Sequence, residues 1–184
     1  MLLIRHGEIV RPSTSNFDLA QLSPAGAEQM RSLAREWTHG KPDRVYCSTL
    51  PRSAESALIL AETWDASVRV LEDLREWSPT VEDISQEEYL AREEACWKDH
   101  DLEYDTGESI NEAMQRVVGA MGRIATEVPE GTTAVVGHGM VFTMFLASIR
   151  GEKPDIEYKR KIRNAATAVV EHEKADFRLV RGFF

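Results

Sequence analysis

Short apolar runs alternate with helix-length amphipathic segments along most of this 184-residue sequence. Strands that alternate with helices form a largely parallel sheet covered on both faces. Two runs near the end, at 166–173 and 177–184, follow one another directly and predict strands antiparallel to each other. The expected fold class is therefore α/β, a three-layer α/β/α sandwich around a mostly parallel sheet with an antiparallel edge. The earlier strands are predicted in LLI (2–4), RVYCS (44–48), SVRVL (67–71) and TTAVVG (132–137).

Helix starts are marked by capping residues and prolines. Ser23 followed by Pro24 predicts a first helix, and Pro51 opens a second. The pair Ser85 and Glu88 has the spacing of a capping box and predicts a helix to about Lys98. Ser109 with Glu112 reads as another, for a helix over about 110–127, and a further helix is expected from His138 to about Arg150.

Length and charge limit the function classes. The chain fits one domain over residues 1–184, and a net charge of −9 argues against nucleic acid or an anionic membrane as partner. Cys47 and Cys96 are the two cysteines and form no C-x-x-C motif, which favours a reducing, cytoplasmic setting. No signal peptide is expected, and the apolar run at 140–149 is too short to cross a bilayer.

An acidic segment interrupts this pattern at about 72–112. It holds fifteen of the 31 acidic residues but three basic ones, namely Arg75, Arg92 and Lys98. We expect a helical excursion that forms a cap over the sheet. Its acidity predicts repulsion of a second anionic group on a ligand.

Two of the predicted strands end in His-Gly. His6 follows LLIR, and His138 follows AVVG. Because the ends of parallel strands meet at one edge of a sheet, both histidines are expected to face one pocket. Arg5 precedes His6, and Arg52 lies in the first turn of a helix, where backbone N–H groups attract anions. Two arginines and two histidines at one point predict a phosphate site.

The chain also carries several motifs in the order found in the histidine phosphatase superfamily, also called the phosphoglycerate mutase-like family, and it therefore resembles that family. The match runs from residue 2 to about 170, and a phosphoglycerate mutase-like fold follows from it. The motifs are RHGE (5–8), LSPAG (22–26), STLPR (48–52), LRE (74–76), GES (107–109), VVGHG (135–139) and RNAATAVV (163–170).

The resemblance implies a role for each residue of the pocket. His6 is the nucleophile that forms a phosphohistidine, Arg5 and Arg52 bind the phosphoryl group, and His138 donates to it. A carboxyl group must protonate the leaving alcohol and then activate water. Glu76 is the expected acid, and its neighbours Glu72, Asp73 and Glu82 remain alternatives.

Recognition of the remainder of the substrate is less constrained by the sequence. The candidates for substrate contact are Glu8, Asn16, Ser48 and Gly139. The family's motif commonly continues with a hydroxyl residue and then an asparagine, where this chain has Ile9 and Pro12. The expected substitute for that asparagine is Asn16, which lies in a longer loop.

The sequence thus predicts a metal-independent phosphomonoester hydrolase of the phosphatase branch, with no cofactor. The expected partner is a small phosphorylated metabolite, with a phosphoprotein as a further option. Two alternatives remain: a phosphoglycerate mutase-type phosphotransferase, and an inactive module that binds phosphate or a partner. A metallohydrolase is disfavoured, because arginines beside the two histidines repel a cation and no H-E-x-x-H occurs.

Overall fold

The computed structural model describes residues 1–13, 17–173 and 176–184, and this part of the chain is built on a six-stranded sheet. The strand order is β3-β2-β4-β1-β5-β6. Strands β1 to β4 pair in parallel, whereas β5 pairs antiparallel with β1 and with β6, so the predicted antiparallel edge is confirmed. The strands are β1 (Leu2–Arg5), β2 (Arg44–Cys47), β3 (Ser67–Val70), β4 (Thr133–Gly137), β5 (Thr167–Glu173) and β6 (Asp176–Arg181).

Helices cover both faces of the sheet. Alternate residues of β1 point to opposite sides: Leu2 and Ile4 pack in the core with α1 and α2, and Leu3 packs in the core with α4 and α5. The predicted three-layer α/β/α architecture is therefore confirmed. The helices are α1 (Pro24–Glu36), α2 (Pro51–Trp64), α3 (Gln86–Lys98), α4 (Ile110–Glu127), α5 (Gly139–Arg150) and α6 (Ile156–Lys161), with a 3-10 turn at Glu72–Leu74.

The helix starts follow the capping residues of the sequence. The Ser23 hydroxyl accepts a hydrogen bond from the Gly26 N–H at 3.0 Å, and Ser109 forms the full capping box with Glu112. Ser85 caps α3, while the Glu88 carboxylate accepts from Arg92. Helix α6 lies outside the predictions, because its six residues IEYKRK are too few to show an amphipathic period.

Two glycines let the loop after β1 lie directly on α1. A Cβ added to Gly7 would lie 2.5 Å from the Gly26 carbonyl oxygen, and one added to Gly26 would lie 2.0 Å from the Glu8 oxygen. Real Cβ atoms do not tolerate such distances, so both positions require glycine. This close approach fixes where β1 ends and therefore where His6 sits.

The acidic segment is anchored at both of its ends by one side chain of α4. Arg116 donates to the backbone oxygens of Asp73 and Arg75, and its guanidinium pairs with Glu108. Cys96 of α3 is fully buried in the core on the α4–α5 face. The segment is thus fastened to the body of the fold. Among the described helices, none has both the length and the apolar character to cross a membrane.

Candidate active site

The structure brings the two histidines together at adjacent strand ends. Arg5 lies opposite Gly137 in the β1–β4 ladder, and the His6 N–H donates to the Gly137 oxygen at 3.0 Å. The ring centroids of His6 and His138 are 5.1 Å apart, and both side chains are buried. The ladder of two parallel strands therefore sets the spacing of the pair.

Hydrogen bonds fix the ring of His6 in one tautomer. Its Nδ1 lies 2.7 Å from the Gly7 carbonyl oxygen, which accepts only, so Nδ1 carries the proton and Nε2 keeps its lone pair. The Asn164 amide donates to the His6 and Gly7 oxygens, each at 3.1 Å, and holds the turn. Burial first, and then the charge of Arg52, lowers the pKa of His6 to about 3. The ring is a neutral base at physiological pH.

Each arginine is held by a backbone carbonyl beside the histidines. Arg5 donates through Nη1 to the Ile162 oxygen, and Arg52 donates to the Phe17 oxygen at 2.5 Å. Burial lowers the pKa of both guanidinium groups while the charge of Glu76 acts in the opposite direction, and arginines remain cations in proteins. The Arg5 Nε is buried without a partner among the described residues. It is a fixed, unused donor, which suits an anion.

His138 is oriented by Ser48. The Ser48 hydroxyl lies 2.7 Å from His138 Nε2 and accepts from the Leu50 N–H at 3.3 Å. A hydroxyl oxygen can accept two hydrogen bonds, so this contact fits either tautomer of His138. The Nδ1 of His138 is buried without a partner among the described residues. Burial, reinforced by the charge of Arg52, lowers the pKa of His138 well below its ordinary value.

Glu76 reaches the same place from the acidic segment. Its carboxylate accepts from the N–H groups of Trp77, Met140 and Val141 at 3.0, 3.1 and 3.2 Å. Two of these donors form the N-terminus of α5, the helix that follows His138. Backbone groups therefore hold this carboxylate at the edge of the cavity that contains His6.

The three alternative acids lie elsewhere. Glu72 accepts from the Thr49 hydroxyl at 2.6 Å, and Asp73 pairs with Arg123. Glu82 lies near Arg92, with 3.7 Å between the charged atoms. None of the three lines the cavity in the described structure.

The cavity has a volume of about 390 Å³ and joins residues from several parts of the chain. Arg5, His6 and Arg52 form its phosphate end. Trp77, Tyr89 and Glu93 come from the acidic segment, Arg11 and Phe17 from the loop after β1, and Lys159 and Asn164 from the region before β5. Within the described residues, no group of three or more His, Cys, Asp or Glu is placed to hold a metal ion.

The other residues predicted to contact substrate have different positions. Glu8 lies at the rim of the cavity, and its carboxylate accepts from the Ser23 hydroxyl at 2.9 Å. Ser48 is fully buried against His138. Gly139 is also buried, and a Cβ built on it would lie 3.7 Å from the Arg5 Nε. Asn16 lies outside the described residues.

Sequence reasoning missed Arg11, Glu93 and Lys159 as cavity residues. Tyr89 and Glu93 are four positions apart on α3 and therefore share one face of it, which was a readable signal. Lys159 lies in the basic run KRK of α6, and nothing in that run distinguishes the lysine that faces the cavity.

Curated relatives cover most of this chain. It is 25% identical over 183 residues to "Probable phosphoglycerate mutase GpmB" of Erwinia tasmaniensis, with 94% of this chain and 85% of that protein covered. It is 23% identical over 181 residues to "Uncharacterized phosphatase PhoE" of Bacillus subtilis, with 96% and 90% covered.

Solved structures show the same fold. The mycobacterial glucosyl-3-phosphoglycerate phosphatase superposes with a TM-score of 0.80 at 20% identity, with 98% of this chain and 96% of that chain covered. At this level of identity the likeness speaks for the fold alone.

The fold and the site define an α/β protein with a buried histidine pair and two arginines at one sheet edge. The family model of the histidine phosphatase superfamily (branch 1) matches residues 1–183. The chain belongs to this superfamily, as its motifs predicted.

Proposed function

We propose that the protein hydrolyses phosphomonoesters without a metal ion, through a phosphohistidine formed on His6. The geometry of His6 carries this proposal. Its Nδ1–H is bound to the Gly7 oxygen, and its neutral ring leaves Nε2 free as a nucleophile in the cavity lined by Arg5 and Arg52.

The first step transfers the phosphoryl group to the enzyme. Nε2 of His6 attacks phosphorus, the P–Nε2 bond forms, and the bond from phosphorus to the ester oxygen breaks. The leaving oxygen takes the electron pair of that bond and a proton from Glu76. The alcohol departs, and phosphohistidine and the Glu76 carboxylate remain.

The second step returns His6 to its starting state. Glu76 accepts a proton from water, the water oxygen attacks phosphorus, and the P–Nε2 bond breaks to release phosphate. Arg5, Arg52 and the Nδ1–H of His138 stabilise the phosphoryl oxygens in both transition states. Backbone carbonyls and Ser48 hold these donors in place beforehand, so little reorganisation is needed.

The proposed substrate is a small phosphorylated metabolite. A cavity of about 390 Å³ matches a small molecule, and pockets of this size are typical of such ligands. A protein in the solved group acts on glucosyl-3-phosphoglycerate, as its name states. The relative named as a probable phosphoglycerate mutase keeps a phosphotransferase open as the second candidate.

The first experiment measures phosphate release from a broad panel of phosphomonoesters at mildly acidic to neutral pH, with and without a chelator. We expect His6→Ala to lower turnover on the order of 10³-fold or more, and the chelator to have no effect. Mass spectrometry after an alkaline quench should find a phosphoryl group on His6 in the wild type.

A matched control uses His39→Ala, because His39 is exposed and lies outside the cavity. Its turnover should equal that of the wild type. Folded wild type that binds inorganic phosphate but releases none from any ester would favour the inactive binding module. Isomerisation of a phosphoglycerate without net hydrolysis would favour the mutase.

A further inference from the structure

Glu76 lies in a stretch of chain that has no regular structure of its own. Residues 75–80 follow the 3-10 turn and belong to neither a helix nor a strand. A sheet ladder or a helix fixes the direction of its side chains through its own backbone hydrogen bonds, and this stretch has no such ladder. The position of Glu76 therefore depends on contacts with other elements.

The Glu76 carboxylate can exchange a proton in one direction only. Its Oε1 accepts two hydrogen bonds, from the N–H groups of Trp77 and Val141, and its Oε2 accepts one, from the N–H of Met140. Each carboxylate oxygen offers two lone pairs. In the described structure the remaining lone pair is on Oε2, so a transferred proton binds there. A small shift of the backbone at Glu76 would turn this lone pair away from the substrate.

Two contacts, one on each side of Glu76, fasten the stretch to the ion pair of Glu108 and Arg116. On the N-terminal side, Arg116 Nη1 donates to the Arg75 carbonyl oxygen at 3.1 Å. On the C-terminal side, the Trp77 indole N–H donates to the Glu108 carbonyl oxygen at 2.8 Å. The acid is thus held between two points that belong to one pair of residues.

The pair of Arg116 and Glu108 is itself well fixed. Arg116 Nε donates to Glu108 Oε2 at 3.0 Å, Arg116 Nη2 contacts Oε1, and the two side chains are 11% and 14% exposed. Two parallel hydrogen bonds set the plane of the guanidinium. Its Nη1 then points at the Asp73 and Arg75 oxygens. A lysine has one ammonium in place of this planar fork and cannot make all of these contacts.

We propose that Arg116, together with Glu108, is a positioning residue for proton transfer by Glu76. This inference rests on the proposed function, in which Glu76 is the acid and base. Neither member of the pair lines the substrate cavity in the described structure, so the pair acts through Glu76 and not on the substrate. It holds the backbone on both sides of Glu76, and Oε2 then faces the ester oxygen.

Arg116→Lys tests the proposal, because it keeps the positive charge and removes the fork. We expect kcat/KM for glycerol 3-phosphate to fall about tenfold, the effect of one hydrogen bond. The kcat/KM for p-nitrophenyl phosphate, whose leaving group needs no proton, should change little. Inhibition by inorganic phosphate should be unchanged, since the phosphate end does not depend on this pair.

A double-mutant cycle shows whether the effect passes through Glu76. In the Glu76→Gln background, Arg116→Lys should cause no further loss on glycerol 3-phosphate, because the carboxyl group that Arg116 positions is gone. The same tenfold loss in both backgrounds would overturn the proposal. An equal loss on the two esters in Arg116→Lys alone would overturn it as well.

Glu108→Gln is the second variant. It keeps the size of the side chain and the backbone oxygen that binds the Trp77 indole, and it removes the charge that orients Arg116. The same selective loss on glycerol 3-phosphate is expected, so either variant that folds is sufficient for the test. A Glu108→Gln protein with wild-type kcat/KM on both esters would exclude Glu108 from the positioning role.

Arg44→Lys is the matched control. Arg44 also pairs with a glutamate of α4, Glu127, at 2.7 Å, but it begins strand β2 and does not line the cavity. Its kcat/KM should equal that of the wild type on both esters. A selective loss on glycerol 3-phosphate in Arg44→Lys would contradict the proposal, because a general loosening of α4 would then explain the result.

Amide hydrogen exchange tests the position of Glu76 even if the wild type hydrolyses no ester and the proposed function fails. Met140 and Val141 lie in the first turn of α5, where N–H groups have no partner within the helix, and the residue before the helix supplies no side-chain cap. Their protection therefore comes from the Glu76 carboxylate. Exchange at both amides should be faster in Arg116→Lys and unchanged in Arg44→Lys. Unchanged exchange in Arg116→Lys would contradict the positioning role.

Discussion

The two ends of the cavity are built in different ways. At the phosphate end, Arg5 is the last residue of strand β1 and His6 follows it, and the pairing of β1 with β4 fixes this backbone residue by residue. At the outer end, Lys159 comes from the six-residue helix α6 and Arg11 from a loop without regular structure. The phosphate end is therefore constrained by the sheet ladder, and the outer end by local packing.

This difference in construction matches the proposed role of each end of the cavity. Transition-state stabilisation needs donors that are already in place, and a sheet edge provides this. Discrimination among leaving alcohols needs side chains that can change without disturbing the sheet, and loops and short helices tolerate such change. Glu76 joins the two ends: it belongs to the acidic segment by sequence, and the start of α5 holds it by hydrogen bonds.

The largest expected effect in this comparison concerns Glu76. Glu76→Gln should lower kcat/KM for glycerol 3-phosphate about 100-fold, because the alkoxide then leaves without a proton. The kcat/KM of p-nitrophenyl phosphate, which reports on the first step, should fall much less, since its leaving group needs no proton. Steady-state kinetics with both esters measures the difference.

The controls are Glu72→Gln, Asp73→Asn and Glu82→Gln, whose parent residues lie outside the cavity in the described structure. Each should retain wild-type dependence on the leaving group. A similar loss of kcat/KM on both esters in Glu76→Gln, or a selective loss in one of the controls, would move the acid to another residue.

A smaller effect is expected from Ser48, which tests how far the phosphate end depends on its supporting contacts. Ser48→Ala removes the hydroxyl that contacts His138 Nε2 and should lower kcat about tenfold with KM nearly unchanged. Nitrogen NMR of the imidazole should show His138 with its proton on Nδ1 in wild type and a mixture of tautomers in the variant.

Ser53→Ala separates positioning from simple loss of stability. Ser53 is also fully buried, but its hydroxyl donates to the Val136 oxygen at 2.9 Å and accepts from the Ser48 N–H. This variant should lose stability while His138 keeps its tautomer. An unchanged His138 spectrum in Ser48→Ala would show that Ser48 does not select the tautomer.

A further effect is on the pH dependence of stability. The folded pKa of His6 is about 3 and its ordinary value is 6.5, so the unfolded chain takes up a proton first as the pH falls. Its contribution to the free energy of unfolding is complete above pH 6.5 and decreases from there toward pH 3. Urea unfolding across this window should show a shallower decrease for His6→Asn, by at most about 1.4 kcal/mol per pH unit.

Lys159→Met is the comparison variant at the outer end of the cavity. Its pH dependence of stability should follow that of the wild type over the same range, because the substitution leaves the His6 ring in place. Identical slopes for wild type and His6→Asn would mean that the folded state does not disfavour protonation of His6.

The phosphate end could be predicted because its signals are local. A strand that ends in Arg-His, a second that ends in His, and an arginine after a helix-starting proline each specify a backbone position. Parallel pairing then brings those positions to one edge. The alternation of strands and helices made the layered fold predictable in the same way.

The outer end could not be predicted because its signals are tertiary. Helix α6 has too few residues to show a buried face, and which of its three cations faces the cavity depends on packing against α5. The composition of segment 72–112 was also a poor guide to the cavity, since composition does not tell which side of α3 is solvated. The net charge of a segment describes its exposed surface better than it describes the part that lines a cavity.

The position of β1 in the sheet has a consequence for the order of folding. β1 lies between β4 and β5, which are made more than 120 and 160 residues after it. The position of His6 is therefore fixed only after most of this domain has been made, because its neighbours in the sheet and Asn164, which donates to its carbonyl oxygen, come late in the sequence. Contacts of such high sequence separation slow folding. A nascent chain that stalls before β4 carries every part of the RHGE motif and still has no active site.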